Sequence, residues 1–159
     1  MAIPTVYIET SIPSFYYTTR DDPESVARKN WTRHWWDFKR GEYTLVTGAA
    51  VLDELKRGEY PSKDLAVRLL DGIPVLRTEL SIREIVRTYI DHGLMPADPA
   101  GDALHLALAS YSKCDFLLTW NCKHLANANK FQHIRQLNIM LGLYVPSLVT
   151  PLELLAEEP

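Results

Sequence analysis

The sequence predicts an α/β fold, a three-layer α/β/α sandwich around a mostly parallel central sheet. Three observations carry this. Short apolar, β-prone runs alternate with longer stretches of helical periodicity, and parallel neighbours need helical crossovers that cover both faces of the sheet. The 159 residues are enough for one core and would make two cramped, so a single domain over residues 1–159 is expected. The composition, 47% hydrophobic and 23% charged, is that of an ordinary globular domain, without repeat, linker or low-complexity segment.

The elements follow in order. Val6-Tyr7-Ile8 reads as a buried strand ending in a polar loop, Glu9-Thr10-Ser11-Ile12-Pro13. Asp22 is an N-cap with Pro23 at the first helical position, and the helix continues to Arg40-Gly41 with an apolar stripe of Ala27, Trp31, Trp35 and Phe38. Tyr43 to Val46 is a second strand. Thr47-Gly48 opens a helix carrying Val51, Leu52 and Leu55, which Gly58 and Pro61 end, and a short helix spans Lys63 to Leu70. Ile73-Pro74-Val75-Leu76 suits an edge strand, because proline cannot donate to a central ladder. Ser81 and Glu84 have the spacing of a capping box before Ile82, Ile85, Val86 and Tyr89. Asp98-Pro99 opens the next helix, with Asp98 as its N-cap, through Leu104, Leu106, Leu108 and Tyr111. Phe116 to Thr119 is a strand running into Asn121, a last helix lies within Asn127 to Leu137, and Tyr144 to Val149 forms a final strand before a frayed acidic end.

Charge and cysteine content exclude several functions. With 17 basic and 20 acidic residues the net charge is −3, so no global positive field gathers nucleic acid or anionic membrane, and any nucleic-acid contact is local. Cys114 and Cys122 form neither a CxxC pair nor part of a zinc-spaced cluster, and they read as reduced thiols of a cytoplasmic protein. The amino end lacks a basic, then apolar, signal pattern, and no run approaches the roughly 18 apolar residues of a membrane span. Neither secretion nor a membrane location is expected. No glycine-rich phosphate loop supports a nucleotide-binding reading.

Open parallel sheets bind ligands beyond the carboxyl ends of their strands, where the strand order reverses. Glu9 follows the first strand and Asn121 follows the Phe116 strand, so the two converge if those strands are neighbours. Asp102 falls in the first turn of its helix, where free N–H groups and the dipole favour an anion. At roughly 100° per residue, Glu54 lies about 105° from the centre of the Val51, Leu52 and Leu55 face and Asp53 about 155° from it. Glu54 therefore borders the core, although a solvated amphipathic helix reads the same way. Together Glu9, Glu54, Asp102 and the amide oxygen of Asn121 offer hard oxygen ligands suited to Mg²⁺ or Mn²⁺. Packed carboxylates repel, and a divalent cation or a raised pKa would be needed to hold them together. Spacing by itself does not single these four out of a chain with 20 acids.

The run Val6-Tyr7-Ile8-Glu9-Thr10-Ser11, then Val51-Leu52-Asp53-Glu54-Leu55, then Asp102-Ala103-Leu104-His105-Leu106-Ala107-Leu108-Ala109, then Leu117-Leu118-Thr119-Trp120-Asn121 resembles the PIN-domain family, in particular VapC-like toxins of toxin-antitoxin systems. The resemblance covers nearly the whole chain. It implies a PIN-like parallel sandwich that binds one or two Mg²⁺ or Mn²⁺ ions and hydrolyses RNA, with an antitoxin protein as partner. On it, Glu9, Glu54, Asp102 and Asn121 match the four family acids as metal-binding and catalytic residues. Glu9 replaces the usual Asp with a longer arm. Asn121 replaces the usual Asp without its charge, while keeping a carbonyl oxygen that can ligate. Thr119 matches a hydroxyl common beside the family site. These departures keep open an alternative, a catalytically degenerate domain that acts as an RNA-binding or protein-interaction module.

Other residues admit two readings each. Trp31, Trp35 and Phe38 fit a base-stacking platform or the core face of a buried helix, and this helix, with Trp36 exposed, is a natural place for a homodimer or antitoxin contact. His105 fits a ligand or base, or a packed histidine. Lys56, Arg57 and Lys123 fit phosphate contacts or solvated surface.

Overall fold

Val6, Tyr7 and Ile8 are large and uncharged, and in the computed structural model, which describes residues 2–98 and 100–155, they are wholly buried. They lie in strand β1 (Thr5–Ile8). The other strands are β2 (Thr44–Gly48), β3 (Val75–Leu76), β4 (Phe116–Leu118) and β5 (Ser147–Val149). All pair in parallel, in the order β3-β2-β1-β4-β5. At the centre, Val6 sits opposite Leu45 on one side and Phe116 on the other. A strand covered on both faces has no solvent side to mark with polar residues, hence its unbroken apolar sequence.

The helices are α1 (Ser11–Tyr16), α2 (Pro23–Phe38), α3 (Ala49–Lys56), α4 (Lys63–Leu69), α5 (Leu80–Asp91), α6 (Asp102–Tyr111) and α7 (Phe131–Met140). From β1 the chain steps to β2 and β3, then returns past β1 to β4 and β5. Right-handed crossovers therefore put α1 to α4 on one face and α5 to α7 on the other, completing three layers. Accordingly α1 packs on α2 and α4, α3 on α4, and α5 on α6. The reversal falls between β1 and β4, so the ligand crevice of an open parallel sheet lies beyond their carboxyl ends. Helix α6 is buried from Ala103 to Ser110. No helix among the described residues is long and apolar enough to cross a membrane.

Several local expectations are corrected. The polar loop after β1 becomes α1 at Ser11: Pro13 sits in the first turn, where a helix has no internal partner for the missing N–H. Strand β2 runs on through Thr47 and Gly48, because Thr47 N donates to Pro74 O at 3.0 Å and its hydroxyl to Ile8 O at 2.8 Å. The capping box at Ser81 and Glu84 does not form, since the helix begins at Leu80 with Glu79 as N-cap. Helix α6 begins at Asp102 with Gly101 as N-cap. Asp98 instead closes a turn, accepting from Ala100 N on its side chain and from Gly101 N on its carbonyl. Pro99 and the acidic end from residue 156 lie outside the described residues.

On α2 the expected Asp22 cap forms, accepting from Ser25 N at 3.0 Å. The buried face, however, is Ser25, Thr32, Trp35 and Trp36. Trp36 is buried, whereas Phe38 is 75% exposed and Trp31 36%. The reason is polar: the Trp120 indole N–H donates to Thr32 Oγ1 at 2.7 Å, which draws a hydroxyl into the interior and rotates the stripe. Trp31, Trp35 and Phe38 thus form no common stacking platform.

Candidate functional site

Glu9 is the first residue beyond β1, and its N–H still extends the ladder to Leu118 O. Its side chain is only 6% exposed. A buried carboxylate needs donors, and two hydroxyls supply them to one oxygen. Ser11 Oγ and Thr119 Oγ1 each donate to Glu9 Oε1 at 2.5 Å. Ser11 Oγ in turn accepts from Trp120 N, and Thr119 Oγ1 from Asn121 N. These bonds tie the ends of β1 and β4 together around the carboxylate. Glu9 Oε2 accepts from no partner among the described residues.

Glu54 reaches the same crevice from α3. It is half-buried and Asp53 exposed, as the helical angles predict. Thr10 Oγ1 donates to Glu54 Oε2 at 2.7 Å, and His105 Nε2 lies 2.8 Å from Oε1. Burial pushes the Glu54 carboxyl up, but the His105 hydrogen bond and charge, the Thr10 hydroxyl and Arg57 together hold it below its ordinary value. Burial likewise pushes His105 down, yet the bond to Glu54 and the charges of Glu9, Glu54 and Asp102 raise it above its ordinary value. The other ring nitrogen, Nδ1, is 2.8 Å from the Tyr7 hydroxyl. Burial first, then Glu9 and Glu54, raise the Tyr7 pKa well above the usual phenol range, so this hydroxyl keeps its proton.

Asp102, at the start of α6, accepts from Asn121 Nδ2 at 2.9 Å. The Asn121 amide oxygen accepts from Lys123 N and His124 N, at 3.2 and 3.0 Å. Two backbone N–H groups require an acceptor and so fix which end of the amide faces Asp102. In this arrangement Asn121 hydrogen-bonds Asp102 instead of presenting a free oxygen to a cation.

The sequence-predicted residues thus fall into two pairs. Ligand atoms of Glu9, Glu54 and His105 lie within 4.8 Å of one another. Asp102 and Asn121 form the second pair, and Asp102 shares with Glu54 a cleft of about 380 Å³ that Arg57, Asp98 and His124 also line. Lys56, Arg57 and Lys123 are all exposed, and of the three Arg57 lines this cleft. Two carboxylates at such spacing invite a cation, and their oxygens suit Mg²⁺ or Mn²⁺, while both His105 ring nitrogens are engaged, with Glu54 and Tyr7. The free Glu9 oxygen fits that use.

Sequence reasoning passed over Tyr7 and Thr10, and left His105 between ligand and packed residue. Its signal was the setting, since a histidine within the otherwise apolar Ala103–Ala109 needs a polar partner when buried. Tyr7 and Thr10 carried no such signal, because their partners are 98 and 44 residues away.

The parallel strand order and the switch-point crevice, with Glu9 beyond β1 and Asn121 beyond β4, are those of a PIN-like, VapC-like fold. No protein-family model matches the sequence, and no curated protein does either. Among solved structures the chain is similar to one of VapBC2 from Rickettsia felis, bound to a DNA fragment from their promoter, at TM-score 0.52 and 15% identity. It is also similar to one of FitAcB from Neisseria gonorrhoeae, at TM-score 0.53 and 15% identity. Each comparison covers 92% of this chain and 98% of the other.

Proposed function

We propose that this chain is the toxin of a toxin-antitoxin pair, a divalent-metal-dependent endoribonuclease that hydrolyses RNA phosphodiester bonds in the cytoplasm. The observation that carries the reading is the approach of the Glu9 and Glu54 carboxylates to within 4.8 Å of each other at the switch point of a PIN-like sheet. Glu9, Glu54 and Asp102 would hold Mg²⁺ or Mn²⁺, with Asn121 steadying Asp102 through its amide. When bound, the ion supplies a lowered water pKa and neutralises charge on the phosphate oxygens. The protein's own groups prepare the site. Ser11 and Thr119 lock one oxygen of Glu9 and leave the other free. Arg57, on the cleft that Glu54 and Asp102 share, binds a backbone phosphate locally despite the net negative charge.

The likeness to VapBC2 and FitAcB supports an antitoxin as partner. Exposed Phe38 on α2 offers an apolar contact for it or for a second copy of the chain. A second reading, the degenerate RNA-binding or protein-interaction module, draws on Asn121, which brings no charge and spends its NH₂ on Asp102.

The test is cleavage of a mixed RNA pool by purified, antitoxin-free protein with Mn²⁺ or Mg²⁺, beside an EDTA control and the folded variants Asp102→Asn and Glu54→Gln. Cleavage is expected only from the metal-loaded wild type. A folded wild type that cleaves nothing overturns the nuclease reading in favour of the module.

A further inference from the structure

Glu54 is the one candidate ligand whose orientation depends on a fully buried chain of groups. His105 is 1% exposed and Tyr7 wholly buried, and together they run from the core to the Glu54 carboxylate. Gly48 completes the chain. Its backbone is extended, at φ −120 and ψ 155, so no left-handed conformation calls for glycine there. What calls for it is space: a Cβ at Gly48 would overlap the Tyr7 hydroxyl and lie 2.8 Å from Leu108 Cδ1. Only a glycine at the end of β2 lets the Tyr7 ring lie where its hydroxyl meets His105 Nδ1.

We propose that Gly48, Tyr7 and His105 form a buried positioning relay that aims the Glu54 carboxylate at the metal, an inference that rests on the metal-dependent reading above. The last bond of the relay keeps one polarity. With the ring neutral, the Tyr7 hydroxyl donates a hydrogen bond to Nδ1 and the ring hydrogen sits on Nε2, facing Glu54 Oε1. When the ring is doubly protonated, Nε2 still carries a hydrogen toward Glu54 and the Tyr7 oxygen accepts. The bond to Glu54 therefore has the same donor in both states. Thr10 holds the other carboxylate oxygen, so the group is fixed from two sides. His105 is a positioning residue, acting through Glu54.

The test is Mn²⁺ affinity, measured by calorimetry and by the Mn²⁺ electron paramagnetic resonance signal, on variants shown by circular dichroism to be folded. Glutamine carries its amide nitrogen the same number of bonds from the backbone as Nε2, and asparagine as Nδ1. His105→Gln retains the donor to Glu54 but not the Tyr7 contact, and is expected to lose about as much Mn²⁺ affinity as Tyr7→Phe. His105→Asn retains only the Tyr7 side and is expected to lose about 10- to 100-fold, the usual cost of removing a group that orients a ligand. Tyr7→Phe loses part of this. Gly48→Ala should weaken binding less when added to Tyr7→Phe than when made alone, since its closest clash is with the Tyr7 hydroxyl. If His105→Asn binds as tightly as His105→Gln, or Tyr7→Phe as tightly as wild type, the relay is overturned and the metal reading stands. A wild type that binds no Mn²⁺ overturns both.

Discussion

Replacing Thr119 with valine deletes one hydroxyl from the centre of the site while nearly keeping its shape. The Thr119 side chain is wholly buried, donates to Glu9 Oε1 at 2.5 Å and accepts from Asn121 N at 2.9 Å. A hydrogen bond to a charged group contributes about 1.5–3 kcal/mol, and a part-buried N–H left without an acceptor costs about 1 kcal/mol more. The expected loss in Thr119→Val is about 2–4 kcal/mol. At about 2–4 °C per kcal/mol for a domain of this size, the melting temperature falls by about 5–15 °C. Urea denaturation in EDTA measures the free energy directly. Ser11→Ala removes the other donor to the same oxygen, so the two changes share an acceptor and their effects will not add; a double-mutant cycle should return a coupling of about 0.5–3 kcal/mol. A Thr119→Val loss under about 0.5 kcal/mol, the scale of a neutral surface change, would refute the claim that this hydroxyl holds the Glu9 carboxylate in place.

Three further outcomes follow from the same geometry. Mn²⁺ at about 100 times its dissociation constant should stabilise the wild type by about 2.7 kcal/mol, and calorimetric melting of Glu54→Gln should show most of that gain gone. In metal-free protein the Glu54–His105 pair acts on stability in a defined pH window. His105 is raised above its ordinary 6.5, so its contribution is complete below that pH and fades as pH climbs through the folded value. Glu54 is lowered from 4.5, so its contribution is complete above that pH and fades on acidification. Melting temperature against pH should therefore decline on the alkaline side of 6.5, and the decline should flatten in His105→Gln. Burial, with Asp115 beside it, pushes the Cys114 thiol up to about 12, whereas Cys122 is exposed. At pH near 8 a thiol reagent should titrate one cysteine in the native protein and two after urea; two fast thiols would contradict the packing behind β4.

Much of the fold could be read from residue patterns, because burial on both faces leaves a strand no polar alternation and caps leave local marks. Val6-Tyr7-Ile8, the Asp22-Pro23 cap and the edge strand β3 directly after Pro74 all appear where those rules place them. The failures share a cause. The Ser81–Glu84 spacing and Asp98-Pro99 are local signals, and each lost to packing that set the helix start elsewhere. On α2, polarity named the wrong face, since Thr32 is buried to satisfy the Trp120 indole, 88 residues away.

The site divides in the same way. Glu9 at a strand end, Glu54 on a core boundary and Asp102 in a first helical turn are consequences of short-range periodicity and chain direction, so the sequence by itself determined them as candidates. It also determined that charge could serve nucleic acid only locally. Which candidates meet was decided by tertiary packing: β1 beside β4 joins Glu9 to Thr119, and α6 against the sheet joins His105 to Tyr7 and Glu54. Contacts between residues about 50 to 110 positions apart, such as Glu54 with His105 and Glu9 with Thr119, leave no periodic trace along the chain. Only the folded arrangement turns a buried histidine and a missing Cβ at Gly48 into support for a carboxylate.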